Sequence, residues 1–364
     1  MNAEHGPVFT RRPHPAPVAA NARASMLEDP GFGRIFTDHM ATIRWTQERG
    51  WCDPELRPRE PFVLDPASAV LHYAQEIFEG LKAYRLKDGG VALFRPEQNA
   101  RRFQASAERL AMPVLPESAF VRSIEELIKA DVEWVPGGDG SLYLRPFMFA
   151  AEPFLGVRPA LEYLYVVIAS PVGSYFKGGA KAVKVWLSDE YTRAAPGGTG
   201  AAKCGGNYAA SLVAQAEAMK NGCDQVVFLD AAERKWVEEL GGMNVFVVYA
   251  DGTLQTPPLH GTILPGVTRD AIITLARAEG RTVREERFSY AQWKADAVSG
   301  KISESFACGT AAVVTPIAEI KATTGGFVIG DGSGGAVAEG LRTKLVGIQR
   351  GDNADPHGWV RRVV

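Results

Sequence analysis

The stretch GAAKCGGNYAA, residues 200–210, places one lysine among glycines and alanines, with a tyrosine five positions later. Such small neighbours contribute little packing, and a lysine withdrawn from water is rare unless it is paired. One interpretation is a flexible loop that happens to contain a lysine. The other is that a flat group must come close to the ε-amine of Lys203.

Length and composition limit the class of protein. A chain of 364 residues is long for one hydrophobic core and predicts two domains. The net charge of −2 gives no support for nucleic-acid binding, which usually shows as a basic excess. No apolar run reaches membrane-spanning length, and the first residues do not resemble a secretory signal. Four cysteines without zinc-site spacing predict no metal site and favour a cytoplasmic protein.

Hydrophobic periodicity predicts an α+β fold, with helices packed on a largely antiparallel sheet in the first half. Helices are expected over residues 98–110, 118–134, 207–222 and 266–280. Asp251-Gly252 predicts a hairpin between two strands. In the third helix, the residues expected to face inward are Leu212, Val213, Ala216 and Met219.

A shift in composition predicts the domain boundaries. Residues 1–172 are expected to form the N-terminal domain, in which residues 1–30 are an irregular arm rich in proline. Residues 173–186 are rich in glycine and small side chains and are expected to link the domains. Residues 187–364 then form the C-terminal domain.

Two kinds of chemistry could use Lys203. A nucleotide phosphate loop needs glycine before the lysine and serine or threonine after it, and Ala202 and Cys204 occupy those places. A Schiff-base lysine needs a deprotonated amine. If its partner is pyridoxal phosphate, the chain must also supply a phosphate site, an acid for the pyridine nitrogen and a donor for the ring oxygen.

Candidates for each requirement follow in the sequence. Residues 263–270 lead from a turn into a predicted helix whose N-terminus suits phosphate, with Thr268 as hydroxyl donor or N-cap. Arg102 could supply a positive charge, Glu239 the acid and Tyr208 the donor. Each feature alone could equally be structural: a turn, a solvated arginine, an exposed strand end or a half-buried tyrosine.

The order of four motifs makes the pattern specific. KCGGNY, ELGGMN, LPGVTR and GTA begin at residues 203, 239, 264 and 309, and this order resembles the branched-chain amino-acid aminotransferases of fold-type IV. The resemblance extends to the first half. The segments that carry it there are FTDHM (36–40), LHYAQEIFEGLKAYR (71–85), LFRPEQNARR (93–102), SLYLRP (141–146) and SPVGSYF (170–176).

The resemblance implies a smaller N-terminal α/β domain, a larger C-terminal domain and pyridoxal 5′-phosphate between them, in a homodimer. It implies reversible transfer of the amino group of L-leucine, L-isoleucine or L-valine to 2-oxoglutarate, with Lys203 as the Schiff-base lysine. The other cofactor-binding positions it implies are Arg102, Tyr208, Glu239, Val267, Thr268 and Thr310. The substrate-binding positions are Phe32, Tyr73, Tyr143, Arg145, Tyr175, Thr310 and Ala311.

The sequence departs from the family pattern at two places. Gly242 stands where some members carry threonine, and Ala312 and Thr315 stand where some carry a pair of cysteines. Three alternatives remain open at this point besides the nucleotide-binding protein. They are a D-amino-acid aminotransferase, an aminodeoxychorismate lyase and a catalytically silent binding protein of the same fold.

Overall fold

The computed structural model describes residues 6–173 and 182–364. The described residues fall into two units. The first contains residues 6–173, 202–205 and 348–364, and the second contains residues 182–201 and 206–347. Two segments of the predicted C-terminal domain therefore belong to the first unit. The predicted boundaries stay a prediction, and residues 174–181 of the predicted linker lie outside the described residues.

The first unit is built on a sheet whose described strands run in the order β1-β3-β2-β8-β7-β5-β6-β18, with β4 paired to β7. Their bounds are β1 Thr10–Arg11, β2 His39–Thr46, β3 Gly50–Pro58, β4 Glu76–Phe78, β5 Leu81–Arg85, β6 Val91–Phe94, β7 Ser141–Ala150, β8 Glu162–Val172 and β18 Val360–Arg362. All these pairs are antiparallel except β1 with β3. The largely antiparallel sheet predicted for the first half is confirmed.

The two longer helices of the first unit pack on this sheet through apolar faces. The helices are α1 Ala20–Glu28, α2 Ala69–Tyr73, α3 Pro96–Arg109 and α4 Glu117–Ala130, with a 3₁₀ turn at Val132–Trp134. The ring of Phe103 on α3 lies 5.4 Å from Phe120 on α4 and 5.5 Å from Tyr165 on β8, centroid to centroid. Because α4 ends at Ala130, the helix predicted over residues 118–134 is four residues too long.

The second unit has a mixed sheet in the order β11-β10-β9-β16-β15-β12-β13-β14, with β17 paired to β16. Its described strands are β9 Val183–Ser188, β10 Gln225–Leu229, β11 Val237–Leu240, β12 Asn244–Tyr249, β13 Leu254–Thr256, β14 Val283–Glu285, β15 Ile302–Gly309, β16 Val313–Lys321 and β17 Phe327–Val328. The predicted hairpin at Asp251-Gly252 is confirmed. It joins β12 to β13, and Gly252 has a φ of +84° that favours glycine.

The remaining helices include one whose inward face was predicted wrongly. They are α5 Gly205–Lys220, α6 Val267–Ala278, α7 Tyr290–Val298 and α8 Ala336–Gln349. On α5 the predicted inward residues Leu212, Val213, Ala216 and Met219 are all exposed. The residues buried instead are Asn207, Ser211, Ala214 and Ala218.

Close packing explains this difference. Ala214 and Ala218 lie in one cluster with Trp186, Val226 and Phe228, whose large side chains come from the sheet. Small residues on the helix allow this approach, so the larger side chains of α5 point away. Within residues 6–173 and 182–364, none of the helices combines the length and the apolar character that crossing a bilayer requires.

Candidate functional site

Lys203 is held in place through its backbone. Its carbonyl accepts a hydrogen bond from the N–H of Phe78 on β4 at 2.9 Å. Its own N–H donates to Oγ of Ser106 on α3, also at 2.9 Å. The N–H of Gly205 donates to the carboxylate of Glu76. The strand and the helix therefore fix the segment that carries the lysine.

The environment of the Lys203 amine increases the fraction that is neutral at a given pH. Burial, followed by the charge of Arg102, lowers the pKa of Lys203 to about 8, although Glu79 and Tyr143 act in the opposite direction. Nζ also lies 4.8 Å from the centroid of the Phe78 ring. An amine with this pKa is a competent nucleophile near neutral pH.

Arg102, the predicted phosphate ligand, lies on α3 in the same unit. Its guanidinium is 8% exposed and forms an ion pair with Glu79, with Nε 2.7 Å from Oε1. Glu79 follows β4 directly and has no exposed surface. The positive charge near Lys203 is therefore matched by a buried carboxylate.

Three of the predicted substrate residues lie together. Nη2 of Arg145 donates to Oη of Tyr143 at 3.0 Å, and the Phe32 ring meets the Tyr143 ring edge to face at 5.3 Å. The guanidinium of Arg145 lies 4.7 Å from the centroid of Phe78. A Cβ atom at Gly80 would collide with the Tyr143 hydroxyl, so only glycine leaves room for it. The group combines aromatic walls with one cation.

The other two aromatic predictions have different outcomes. Tyr73 on α2 is 40% exposed and its hydroxyl donates to the carbonyl of Leu155. Tyr175 lies outside the described residues.

Glu239, the predicted partner of the pyridine nitrogen, is 2% exposed on β11 in the second unit. Its Oε1 lies 2.9 Å from Nη1 of Arg193 and accepts the N–H of Leu264 at 2.9 Å. Its Oε2 accepts from Nδ2 of Asn244 at 3.1 Å. The exposed strand end considered from the sequence is therefore wrong, because the carboxylate is buried and hydrogen-bonded.

Tyr208 lies near the start of α5, where its side chain is partly buried. A Cβ atom at Gly242 would lie 3.9 Å from Cε1 of Tyr208, an ordinary contact. Threonine at this place, as in some family members, would therefore not displace the Tyr208 ring through its Cβ.

Two backbone turns supply the remaining predicted residues. Val267 is the first residue of α6 and Thr268 is the second, 6% exposed. The N-cap of α6 is Gly266, so the interpretation of Thr268 as N-cap is wrong. Thr310 and Ala311 lie in the turn between β15 and β16, partly buried.

Strain accompanies the second turn. Val313, the first residue of β16, has a φ of +61°. A β-branched residue rarely adopts this conformation, which costs about 1–3 kcal/mol. Strain of this size is typical of ligand-binding turns, and here it adjoins Thr310 and Ala311.

Three residues of this environment were not singled out from the sequence. Phe78 is the last residue of β4 and Glu79 follows it. Both lie inside the segment LHYAQEIFEGLKAYR, which carried part of the resemblance without marking either residue. Arg193 lies ten positions before Lys203 and gave no signal. Its guanidinium is 2% exposed.

The small residues around Lys203 have more than one cause. A Cβ atom at Gly205 would collide with the carboxylate of Glu76, and one at Gly200 would collide with the carbonyl of Thr262. At Gly206 an added Cβ would meet none of the described atoms within 4 Å. Close approach by protein atoms therefore accounts for two of these glycines, and the space beside the third remains open.

Among the described residues, no three His, Cys, Asp or Glu side chains are grouped as metal ligands. The chemistry available in the described residues is that of an amine with a lowered pKa, buried arginine–carboxylate pairs and backbone donors at a helix start. This set suits an anionic group, an aldehyde and a ring nitrogen.

Comparisons with known proteins agree with this set. The family amino-transferase class IV matches residues 76–320. The branched-chain-amino-acid aminotransferase of Mycolicibacterium smegmatis is 55% identical over 364 residues, covering 98% of this chain and 99% of that protein.

Two solved structures have the same fold. The branched-chain amino acid aminotransferase of Escherichia coli gives a TM-score of 0.74 at 29% identity, covering 89% of this chain and 100% of that one. The T.th. branched-chain amino acid aminotransferase complexed with N-(5′-phosphopyridoxyl)-L-glutamate gives 0.71 at 30% identity, covering 89% and 99%. The predicted α+β fold of fold-type IV is confirmed, and the chain belongs to the class IV aminotransferases, among the branched-chain-amino-acid aminotransferases.

Proposed function

We propose that this chain uses pyridoxal 5′-phosphate to transfer the amino group of L-leucine, L-isoleucine or L-valine reversibly to 2-oxoglutarate. The observation that carries the proposal is the position of Lys203, held through its backbone by Phe78 and Ser106 in a chain that matches branched-chain enzymes over nearly its full length. The T.th. structure, complexed with a phosphopyridoxyl derivative of glutamate, supports both the cofactor and the dicarboxylate substrate.

The residues present fit the cofactor. Arg102 supplies a positive charge for the phosphate, and the α6 start at Val267 and Thr268 supplies a helix N-terminus, which favours anions. Thr310 adds a hydroxyl in a turn. Glu239 is a buried carboxylate suited to a protonated ring nitrogen, and Tyr208 is a donor suited to the ring oxygen.

When bound, pyridoxal 5′-phosphate supplies an aldehyde that accepts the amino group and a ring that withdraws electrons from Cα. The chain supplies the base. Nζ of Lys203 would take the proton from substrate Cα and deliver it to carbon C4′ of the cofactor. In the second half of the reaction it would move a proton from C4′ to Cα of the incoming oxo acid. Because Phe78 and Ser106 fix its backbone, the amine is positioned before substrate binds. General acid–base help of this kind is worth about 10²–10⁴-fold in rate.

The substrate pocket must accept both an apolar chain and a carboxylate. Phe32, Tyr73, Tyr143 and Tyr175 are proposed as its aromatic walls. Arg145 is proposed to receive the distal carboxylate of glutamate or 2-oxoglutarate, and its Nε is buried without a hydrogen-bond partner among the described residues. Thr310 and Ala311 are proposed to meet the α-carboxylate. A cation resting on aromatic rings allows this dual use without a rigid carboxylate partner.

An absorption spectrum tests the function. Purified enzyme with pyridoxal 5′-phosphate should show a visible band that L-leucine removes and 2-oxoglutarate restores. The variant Lys203→Ala should lack this response and lose more than about 10⁴-fold in activity, because base and attachment point disappear together. Lys220→Ala, at the exposed end of α5, is the matched control and should behave as wild type.

A wild-type band that responds to D-alanine but not to L-leucine would favour the D-amino-acid alternative. A protein that forms no band after addition of pyridoxal 5′-phosphate would refute the assignment of Lys203.

The pKa of Lys203 predicts a pH dependence for the apoenzyme. With a pKa of about 8, about one-tenth of the amine is neutral at pH 7, against about one part in three thousand for a lysine at 10.5. Labelling of Lys203 by trinitrobenzenesulfonate should therefore rise with pH, with its midpoint near pH 8, and level off about one pH unit higher. Unfolding in guanidinium should move the midpoint of the labelling curve to about pH 10.5, the ordinary pKa of lysine. If the folded protein also gave a midpoint of about 10.5, burial would have no effect on the pKa of Lys203.

Arg145 should discriminate between the two substrate classes. Arg145→Ala removes a charged hydrogen-bond donor, so KM for 2-oxoglutarate should rise about tenfold or more while KM for L-leucine changes little. The control Arg158→Gln removes another arginine that lies over an aromatic ring, 4.0 Å from the centroid of Phe154. Equal increases for both substrates in Arg145→Ala would identify a structural role.

We also infer a cytoplasmic homodimer. Leu212 and Met219 on α5 are 65% and 69% exposed, and apolar surface of this kind is often covered by another chain. All four cysteines are free, which is typical of a reducing compartment. Sedimentation equilibrium should give twice the mass of one chain, and the mass of a single chain would refute the dimer.

A further inference from the structure

Glu79 is a buried carboxylate to which the sequence assigned no role. Four N–H groups donate to it. Arg102 reaches it through Nε at 2.7 Å and Nη2 at 2.9 Å, Asn99 through Nδ2 at 2.7 Å, and Gly80 through its backbone N–H at 3.0 Å. The carboxylate is therefore fully engaged by helix α3 and by the backbone between β4 and β5.

These bonds fix the direction of the Arg102 guanidinium. A guanidinium is planar, so two parallel bonds to one carboxylate determine the plane of the whole group. The carboxylate is itself held by Asn99 and the Gly80 backbone. Arg102 is therefore oriented by a rigid anchor rather than by its own flexible stem.

The charges in this group compensate one another. Burial opposes ionisation of Glu79, but the charge and hydrogen bonds of Arg102 outweigh it and hold the pKa of Glu79 below its ordinary value. Glu79 is therefore a carboxylate at neutral pH. Removing either partner would leave a buried charge without its counter-ion.

We propose that Glu79 is a positioning residue that orients the Arg102 guanidinium toward the cofactor phosphate. The inference rests on the proposed function, because it assumes that Arg102 binds the phosphate. Glu79 itself touches neither substrate nor phosphate and acts through Arg102.

Two effects of Glu79 on phosphate binding have opposite signs. Its negative charge, taken alone, weakens the attraction between Arg102 and a phosphate, so its removal would strengthen binding. Its hydrogen bonds orient Arg102, so their loss would weaken binding. A fall in phosphate affinity after removal of the charge can therefore come only from lost orientation.

The experiment compares pyridoxal 5′-phosphate with pyridoxal on the full-length apoenzyme at one pH. The ratio of their dissociation constants isolates the phosphate contribution, because both ligands carry the same aldehyde and ring. Glu79→Gln removes the charge, whereas Glu79→Asp keeps it but is too short to reach Arg102 in the same way. In both variants the preference for the phosphorylated ligand should fall about tenfold or more.

A matched control is Glu126→Gln. Glu126 is also a buried carboxylate of the first unit, 5% exposed and paired with Arg11 and Arg122 at 2.7 and 2.8 Å. This variant loses the ion pairs of a buried carboxylate without touching Arg102, so its ligand preference should equal that of wild type. Should Glu79→Gln fail to fold, Glu79→Asp carries the test because it retains the buried charge.

Three results would overturn the proposal. An increased preference in Glu79→Gln with no change in Glu79→Asp would show that Glu79 acts only through its charge. Equal weakening of both ligands would show a purely structural role. The variant Arg102→Ala tests the phosphate-binding role of Arg102 separately from the positioning role of Glu79. An unchanged preference for the phosphorylated ligand in this variant would refute the role of Arg102, and the positioning role with it.

Discussion

A charge withdrawn from water must meet a compensating charge or a full set of hydrogen bonds, and each unit contains such a charge at its candidate site. In the first unit Glu79 meets Arg102, and in the second Glu239 meets Arg193, with every side chain of these pairs no more than 8% exposed. Paired in this way, the charged groups keep fixed directions. The pKa of Lys203 depends on the first of these pairs, because Arg102 lowers it and Glu79 raises it.

The two pairs offer opposite charges to a ligand in the proposed function. Arg102 would meet an anionic phosphate, whereas Glu239 would meet a protonated ring nitrogen. In each case the residue that would meet the ligand is paired with a residue of opposite charge. This partner fixes the orientation of the ligand-binding side chain and partly offsets its charge. The pKa of Lys203 is set differently: loss of contact with water lowers it, and the effects of the neighbouring charges partly cancel.

Local signals predicted much of the fold. The helices α3 and α4 and the turn at Asp251-Gly252 follow from residues close in sequence, and the structure contains all three. The face of α5 was wrong because the partner sheet, rather than the size of the helix residues, decides which side packs. Thr268 was wrong as N-cap because the helix starts two residues earlier than that interpretation required.

The candidate site was predictable only through the order of its motifs. Lys203, Arg102 and Glu239 could each have been surface charges, and nothing in a single sequence distinguishes a buried carboxylate from a solvated one. For the same reason Glu79 and Arg193 gave no signal, since an ion pair between residues 23 or 46 positions apart leaves no periodic pattern. The roles of the site residues stay predictions that resemblance supplies.

The membership of the first unit has a consequence for synthesis. Residues 202–205 and 348–364 belong to it, and β18 pairs with β6 across more than 260 positions of chain. The first 173 residues therefore emerge from the ribosome long before the edge strand β18 is synthesised and can pair with the sheet. Early intermediates would carry β6 with one unpaired edge, a state open to wrong pairing. Completion of the lysine-bearing unit thus waits until β18 has been synthesised, long after Lys203 itself.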